Sequence, residues 1–138
     1  MFGDIDNDGD VDIVVANNNG PARLLLNQVG NRLHWLVIKL EGVESNRDGM
    51  GARVAVLREG IPPLWRRAHT DGSYASANDI RVHFGLGDSP ILTGIVVVWP
   101  SGQSEIWSGI AVDRFVTLRE GDGEPWSELR TDAANIPR

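Results

Sequence analysis

The chain has 138 residues, a formal net charge of −6 and no cysteine, which is enough for one ordinary core and too short for a large multidomain assembly. Without cysteine there is no disulfide, thiol nucleophile or Cys-ligated zinc site, and the compartment stays open on that ground. Basic residues form no run that tracks a phosphate backbone, Arg66-Arg67 being only a pair, so nucleic acid is not expected as a partner.

Five aspartates occupy every second position in Asp4-Ile5-Asp6-Asn7-Asp8-Gly9-Asp10-Val11-Asp12 and supply all but one unit of the net charge. The spacing D-x-D-x-D-G-x-x-D gathers hard oxygen donors around one centre, with Gly9 permitting the sharp turn, and predicts a calcium loop rather than a merely solvated acidic turn. By analogy with an EF-hand loop, Asp4, Asp6, Asp8 and Asp12 offer their side chains and Asp10 its backbone carbonyl. An EF-hand itself is excluded. Val15 stands where the bidentate Glu belongs, and the loop runs into the β-branched Val11–Ala16, bounded by the turn former Asn17-Asn18-Asn19-Gly20.

Further strands are predicted at Arg23–Leu26, His34–Leu40, Ala52–Arg58, Leu64–His69, Ser104–Trp107 and Phe115–Arg119. The cleanest alternation sets Ile80, Val82, Phe84 and Leu86 against Arg81, His83 and Gly85. Ile91–Trp99 is about half the length of a membrane helix and stops at Pro100, so it reads as a buried strand, with no membrane span. Turn chemistry at Arg47-Asp48-Gly49, Glu59-Gly60, Asp71-Gly72, Gly87-Asp88-Ser89-Pro90 and Pro100-Ser101-Gly102 separates these runs. No segment keeps an apolar stripe at helical spacing. An all-β fold follows, an antiparallel β-sandwich or barrel with an N-terminal hairpin, Val11 to Leu26, leaning on it. The polar stretch from Gly121 to Arg138 reads as a mobile tail whose start Trp126 pins. No basic segment followed by an apolar one opens the chain, so any export signal is expected upstream.

Competing chemistry is weak. His69, Asp71 and Ser73 invite a hydrolase reading, but Ser73 lacks the G-x-S-x-G elbow and the protein is expected not to be an enzyme. His34 and His83 show no zinc spacing, and Gly85-Leu86-Gly87 and Gly49-Met50-Gly51 lack the third glycine and helix of a phosphate cradle. Asn46–Arg53 reads as a turn braced by an Arg–carboxylate pair. A sharper reading joins Arg47, Asp48, Ser73, Tyr74, Ser76 and Asp79 into a polar groove with an aromatic platform for sugar hydroxyls. Trp65, Trp99 and Trp107 are assigned to the core.

Two family resemblances emerge from these motifs. Phe2–Asn17, with the acidic loop and the Asp12-Ile13-Val14-Val15-Ala16-Asn17 strand, resembles the calcium-loop segment of FG-GAP or VCBS repeats, which build four-stranded propeller blades. Here the strand before the loop is expected to be missing. Ser45-Asn46-Arg47-Asp48-Gly49-Met50-Gly51-Ala52-Arg53-Val54, then Gly72-Ser73-Tyr74 with Ser76, His83-Phe84-Gly85-Leu86-Gly87 and Val98-Trp99-Pro100-Ser101-Gly102 resemble the ASPIC/UnbV domain, which follows such repeats in exported proteins and in cartilage acidic protein. Together they imply a repeat fragment over 1–28, an ASPIC/UnbV β domain over 29–121 and a tail over 122–138. They also imply an extracellular, cell-surface or periplasmic setting, an adhesion or interaction role toward a protein or glycan, and a free strand edge open to self-association.

Overall fold

The computed structural model describes residues 1–127. The expectation of a mobile tail therefore falls largely on residues 128–138, outside the described part. The chain runs β1 (Phe2–Gly3), β2 (Asp12–Val15), β3 (Arg23–Leu25), β4 (His34–Glu41), β5 (Arg53–Arg58), β6 (Ile61–Arg67), β7 (Asp71–Ser73), β8 (Ser76–Ala77), β9 (Val82–Gly87), β10 (Gly94–Val98), β11 (Ser104–Trp107), β12 (Arg114–Arg119) and β13 (Glu124–Pro125). A single 3-10 turn at Gly30–Arg32 joins β3 to β4. No helix among the described residues is long and apolar enough to cross a membrane.

Two sheets form the body. One has five strands in the order β13-β11-β10-β5-β6, the other three in the order β12-β4-β9. Period-two alternation places Leu36, Ile38 and Leu40 of β4 and Val82, Phe84 and Leu86 of β9 in one core with Val54, Val56, Ile95 and Val97 of the larger sheet. The core side chains are mostly β-branched or leucine, with Phe84, Trp99 and two alanines, which suits two pleated faces packed as a sandwich. Among the described residues both sheets keep free edges, β13 and β6 in one and β12 and β9 in the other, and no barrel closes.

One pairing departs from the antiparallel expectation. β12 lies parallel to β4 over six residue pairs, from Arg114 opposite Leu36 to Arg119 opposite Glu41. The chain leaves β11 in the larger sheet and crosses to the smaller one before running alongside β4, and such a crossover is what a parallel pair requires. Asp71-Gly72 also differs. These residues extend as β7, and the reversal falls at Tyr74-Ala75, where Ala75 takes φ +51. β6 begins at Ile61, earlier than expected, because an edge strand tolerates Pro62 and Pro63 where a central one would lose ladder hydrogen bonds.

Among the tryptophans, Trp99 is fully inside and Trp107 packs against the core, while Trp65 is half-buried beneath the Arg53 guanidinium, 5.4 Å from its ring centroid. A small sheet, β1-β2-β3, stands at the N-terminus. Phe2 and Gly3 pair with Ile13 and Asp12, so a two-residue strand precedes the acidic loop where none was expected. At the other end Glu124–Pro125 pairs with β11 and the Trp126 N–H donates to the Ser104 carbonyl (2.8 Å), which fastens the start of the last segment.

Candidate metal centre

The acidic loop lies between β1 and β2, and its own carboxylates fold it. Asn7 (φ +59) and Gly9 (φ +98) take left-handed backbone. Asp4 accepts the Asp8 and Gly9 N–H groups (3.1 and 3.0 Å), Asp8 accepts the Asp10 N–H (3.1 Å), and Asp12 accepts the N–H groups of Ile5 and Asn27 (both 2.9 Å). Short aspartate side chains reach backbone donors a few residues away, so the pattern that supplies charge also winds the chain around it.

Asp4, Asp6 and Asp8 each offer a carboxylate oxygen, and these oxygens all lie within 4.8 Å of one another. Calcium takes oxygen ligands at about 2.3–2.6 Å, so two oxygens on one ion sit no more than about 5 Å apart. Asp12 is fully buried, and Asp10, at 2% exposure, keeps its Oδ1 without a hydrogen-bond partner among the described residues. A buried carboxylate oxygen left unpaired is costly and calls for a cation. Desolvation, reinforced by the charges of Asp8 and Asp12, raises the Asp6 pKa. Burial does the same to Asp10 against an opposing hydrogen bond from the Asn31 N–H. The donor set is all hard oxygen, and it fits a divalent cation of the calcium type.

The loop is docked on the sandwich, not suspended beside it. A Cβ added at Gly9 would lie 1.9 Å from Trp35 Cε2, so only glycine lets the turn rest on the indole. His83 Nε2 meets the Gly9 carbonyl at 2.7 Å. Arg81 reaches further. Its Nη1 donates to Asn7 Oδ1 (2.9 Å) and its Nη2 to the Asp4 carbonyl (2.9 Å), while Nε and Nη2 grip Asp79. Burial alone would raise the Asp79 pKa, but the Arg81 hydrogen bonds and charge outweigh it and hold the carboxyl below its ordinary range. Arg81 also lies 5.0 Å from the Phe115 ring centroid, and Phe115 meets Trp35 edge to face. Arg81 and His83, which alternation sets on the face opposite the core, are thus the clamps of the acidic loop. Their periodicity is right, but what covers that face lies more than seventy residues away in sequence.

The remaining candidates are dispersed. Arg47 and Asp48 line a concavity with Lys39, Glu41 and Arg119, and meet each other only at 3.7 Å. Asp79 serves Arg81. Tyr74 stands 97% exposed beyond β7, and the Ser76 hydroxyl bonds the Tyr74 carbonyl at 3.3 Å. Ser73 lies within β7. His69 Nδ1 meets both the Asp71 carbonyl and its carboxylate (2.8 and 3.0 Å), a contact that ties His69 to the start of β7.

A second carboxylate centre escaped the sequence. Glu120, 4% exposed, accepts the N–H groups of Val43, Glu44 and Ser45 on one oxygen (2.7, 2.9 and 2.8 Å) and the hydroxyls of Ser45 and Ser101 on the other (2.9 and 2.6 Å). Burial pushes its pKa up, yet these donors prevail and lower it to about 2. The Ser45–Val54 and Val98–Gly102 motifs are therefore held together through one glutamate. Asn46 closes the first of them by exchanging hydrogen bonds with Met50 (2.7 and 2.9 Å).

The family model described as ASPIC and UnbV matches residues 42–125, more than half of the chain. No curated protein matches it.

Proposed function

The chain belongs to the ASPIC and UnbV family, and from that premise we propose that it is a calcium-binding, non-enzymatic interaction or adhesion module of an extracellular or periplasmic protein built from FG-GAP/VCBS-type repeats. The observation that carries the reading is the convergence of the Asp4, Asp6 and Asp8 carboxylates within 4.8 Å, in a loop clamped to the sandwich by Arg81 and His83. Asp4, Asp6 and Asp8 would hold the ion by their side chains, with Asp10 and Asp12 completing the oxygen cage. When bound, it supplies positive charge that cancels repulsion among carboxylates; the rest of the work is done by the chain, which positions the loop. Millimolar calcium outside cells suits such a loop.

Membership of a larger repeat protein is supported by the N-terminal sheet. Leu24, Leu25 and Leu26 are each about half exposed, and Met1, Phe2 and Val15 beside them are also open. Exposed leucines on both faces of a small sheet are more apolar surface than a free-standing hairpin leaves open, and residues 1–28 are read as part of such a repeat. The non-enzymatic reading is supported by the His69–Asp71 contact, which joins two exposed side chains at the start of β7.

The test is thermal melting with calcium and with chelator, alongside Asp6→Ala and Asp8→Ala. A melting temperature that rises with calcium in the parent chain and no longer responds in either variant supports the proposal; a melt indifferent to calcium overturns it.

A further inference from the structure

We propose that the cleft between the metal loop and the sandwich is a binding site for a compact organic carboxylate, with Arg66 and Arg67 as its charge partners. The proposal deepens the interaction-module reading and rests on it in one respect, that the metal loop forms a wall of the site.

The cleft measures about 180 Å³. Drug-sized ligands occupy roughly 300–1,000 Å³, so this space takes one small group. Its floor is apolar, from Val37 and Val82, both nearly buried, and one wall is the segment Phe2–Asp4. It is lined by residues of β6 and β9, an edge strand of each sheet.

Charge decides the ligand. Two carboxylates border the cleft, and both are committed. Asp79 is gripped by Arg81, and Asp4 accepts two backbone N–H groups and faces the metal centre. Arg81 spends its guanidinium on Asp79, Asn7 and Asp4. The arginines of β6 differ. Arg66 gives one Nη1 to the Trp65 carbonyl of its own strand (3.1 Å), and Arg67 reaches Asp71 only at 3.5 Å, with both of those side chains more than half exposed. Arg66 is paired with Val54, and so follows Leu64 onto the core-facing side of β6 at the point where the core gives way to the cleft. Arg66, with donors left over, stands on the cleft side of β6, and Arg67, one residue on and so on the other face of the strand, also borders the cleft; together they supply the charge for a carboxylate carried on a small body. His69 and Asn78 add polar edges suited to hydroxyl or amide groups. In a chain of net charge −6 this is a local reversal of sign, and a cation in the adjoining loop strengthens it by neutralising Asp4.

Two sources share this chemistry, a uronic acid sugar and an acidic amino-acid side chain. The experiment is a titration of the 138-residue chain, with and without calcium, by sodium glucuronate and by N-acetylaspartate, followed by amide NMR shifts. Saturable shifts around Val37, Asn78 and Val82 are expected, and the tighter of the two probes names the source. Arg66→Ala/Arg67→Ala should weaken binding about tenfold, the weight of a charge-assisted hydrogen bond, whereas Arg114→Ala, an exposed arginine elsewhere, should change it less than about twofold. No saturable shift with either probe, or an equal loss in Arg114→Ala, overturns the proposal. Melting in calcium on the same samples separates the two ideas: a calcium response without carboxylate binding defeats the cleft alone, and carboxylate binding without a calcium response upholds the cleft and defeats the metal.

Discussion

Two groups of buried carboxylates in this molecule reach stability by opposite routes. Glu120 finds everything it needs inside the chain, three consecutive N–H groups and two serine hydroxyls. The loop aspartates are served unevenly, since backbone donors satisfy Asp4 and Asp12 while Asp10 Oδ1 has no donor among the described residues and the Asp6 pKa is raised, by desolvation first and then by the charges of Asp8 and Asp12. Glu120, Asp4, Asp10 and Asp12 are negative charge held out of bulk water, whereas Asp6 stays exposed at the loop surface. One group is closed by hydrogen bonds and depends on pH, while the other, on the proposed reading, is completed by a cation. A carboxylate surrounded by donors shapes a loop permanently, whereas carboxylates surrounded by one another shape a loop that responds to its solution.

The largest effect that sharpens this contrast is calcium. At a hundredfold excess over Kd the folded state gains about 2.7 kcal/mol, read as a shift in the urea midpoint that Asp6→Ala and Asp8→Ala abolish and Glu120→Gln leaves intact. Next comes Glu120. Its carboxyl titrates near 2 against an ordinary 4.5, so Glu120→Gln, which resembles the protonated acid, should cost about 2 kcal/mol after discounting for solvent at the loop. Because the folded pKa is the depressed one, this stabilisation is present in full above pH 4.5 and disappears as pH falls toward 2. Acid unfolding of Glu120→Gln should lack that portion of the slope; identical acid titrations of variant and parent would break the contrast.

Arg81→Ala is expected to cost about 1–2 kcal/mol, because Asp79 is left partly buried without its partner. It should also weaken the calcium response by unclamping the loop, which calorimetry with calcium would detect. Smallest is Arg47→Ala. Arg47 is 90% exposed with one loose contact to Asp48, so stability should change by less than about 0.5 kcal/mol. A saccharide array probed with Tyr74→Ala tests the sugar-groove alternative at an equally exposed side chain, and binding that survives the substitution counts against it.

The strands were readable where one face is buried, as in Val82–Gly87, because alternation there records a local fact about the chain. The convergence of Asp4, Asp6 and Asp8 was readable for the same reason, since these carboxylates fall within five residues. Glu120 was invisible. Its donors lie about 75 residues back, around Val43–Ser45, and a lone glutamate at the end of a strand carries no spacing to mark it. β13 was missed because Glu124-Pro125 has no strand propensity and is placed by its partner β11. The parallel β12 alignment was hidden too, as alternation shows which side faces inward but not the direction of a neighbour.

The free edges differ in what they admit. β6 carries Pro62 and Pro63, which offer no N–H, and since successive residues face opposite sides of the strand one of them removes a donor from the free edge that an incoming peptide would use. β3, three exposed residues bonded to β2 on one side only, has an unbroken row of donors and acceptors on the other. A strand added to this molecule would therefore meet a missing donor along the proline flank and none missing at the leucine-rich end next to the acidic loop.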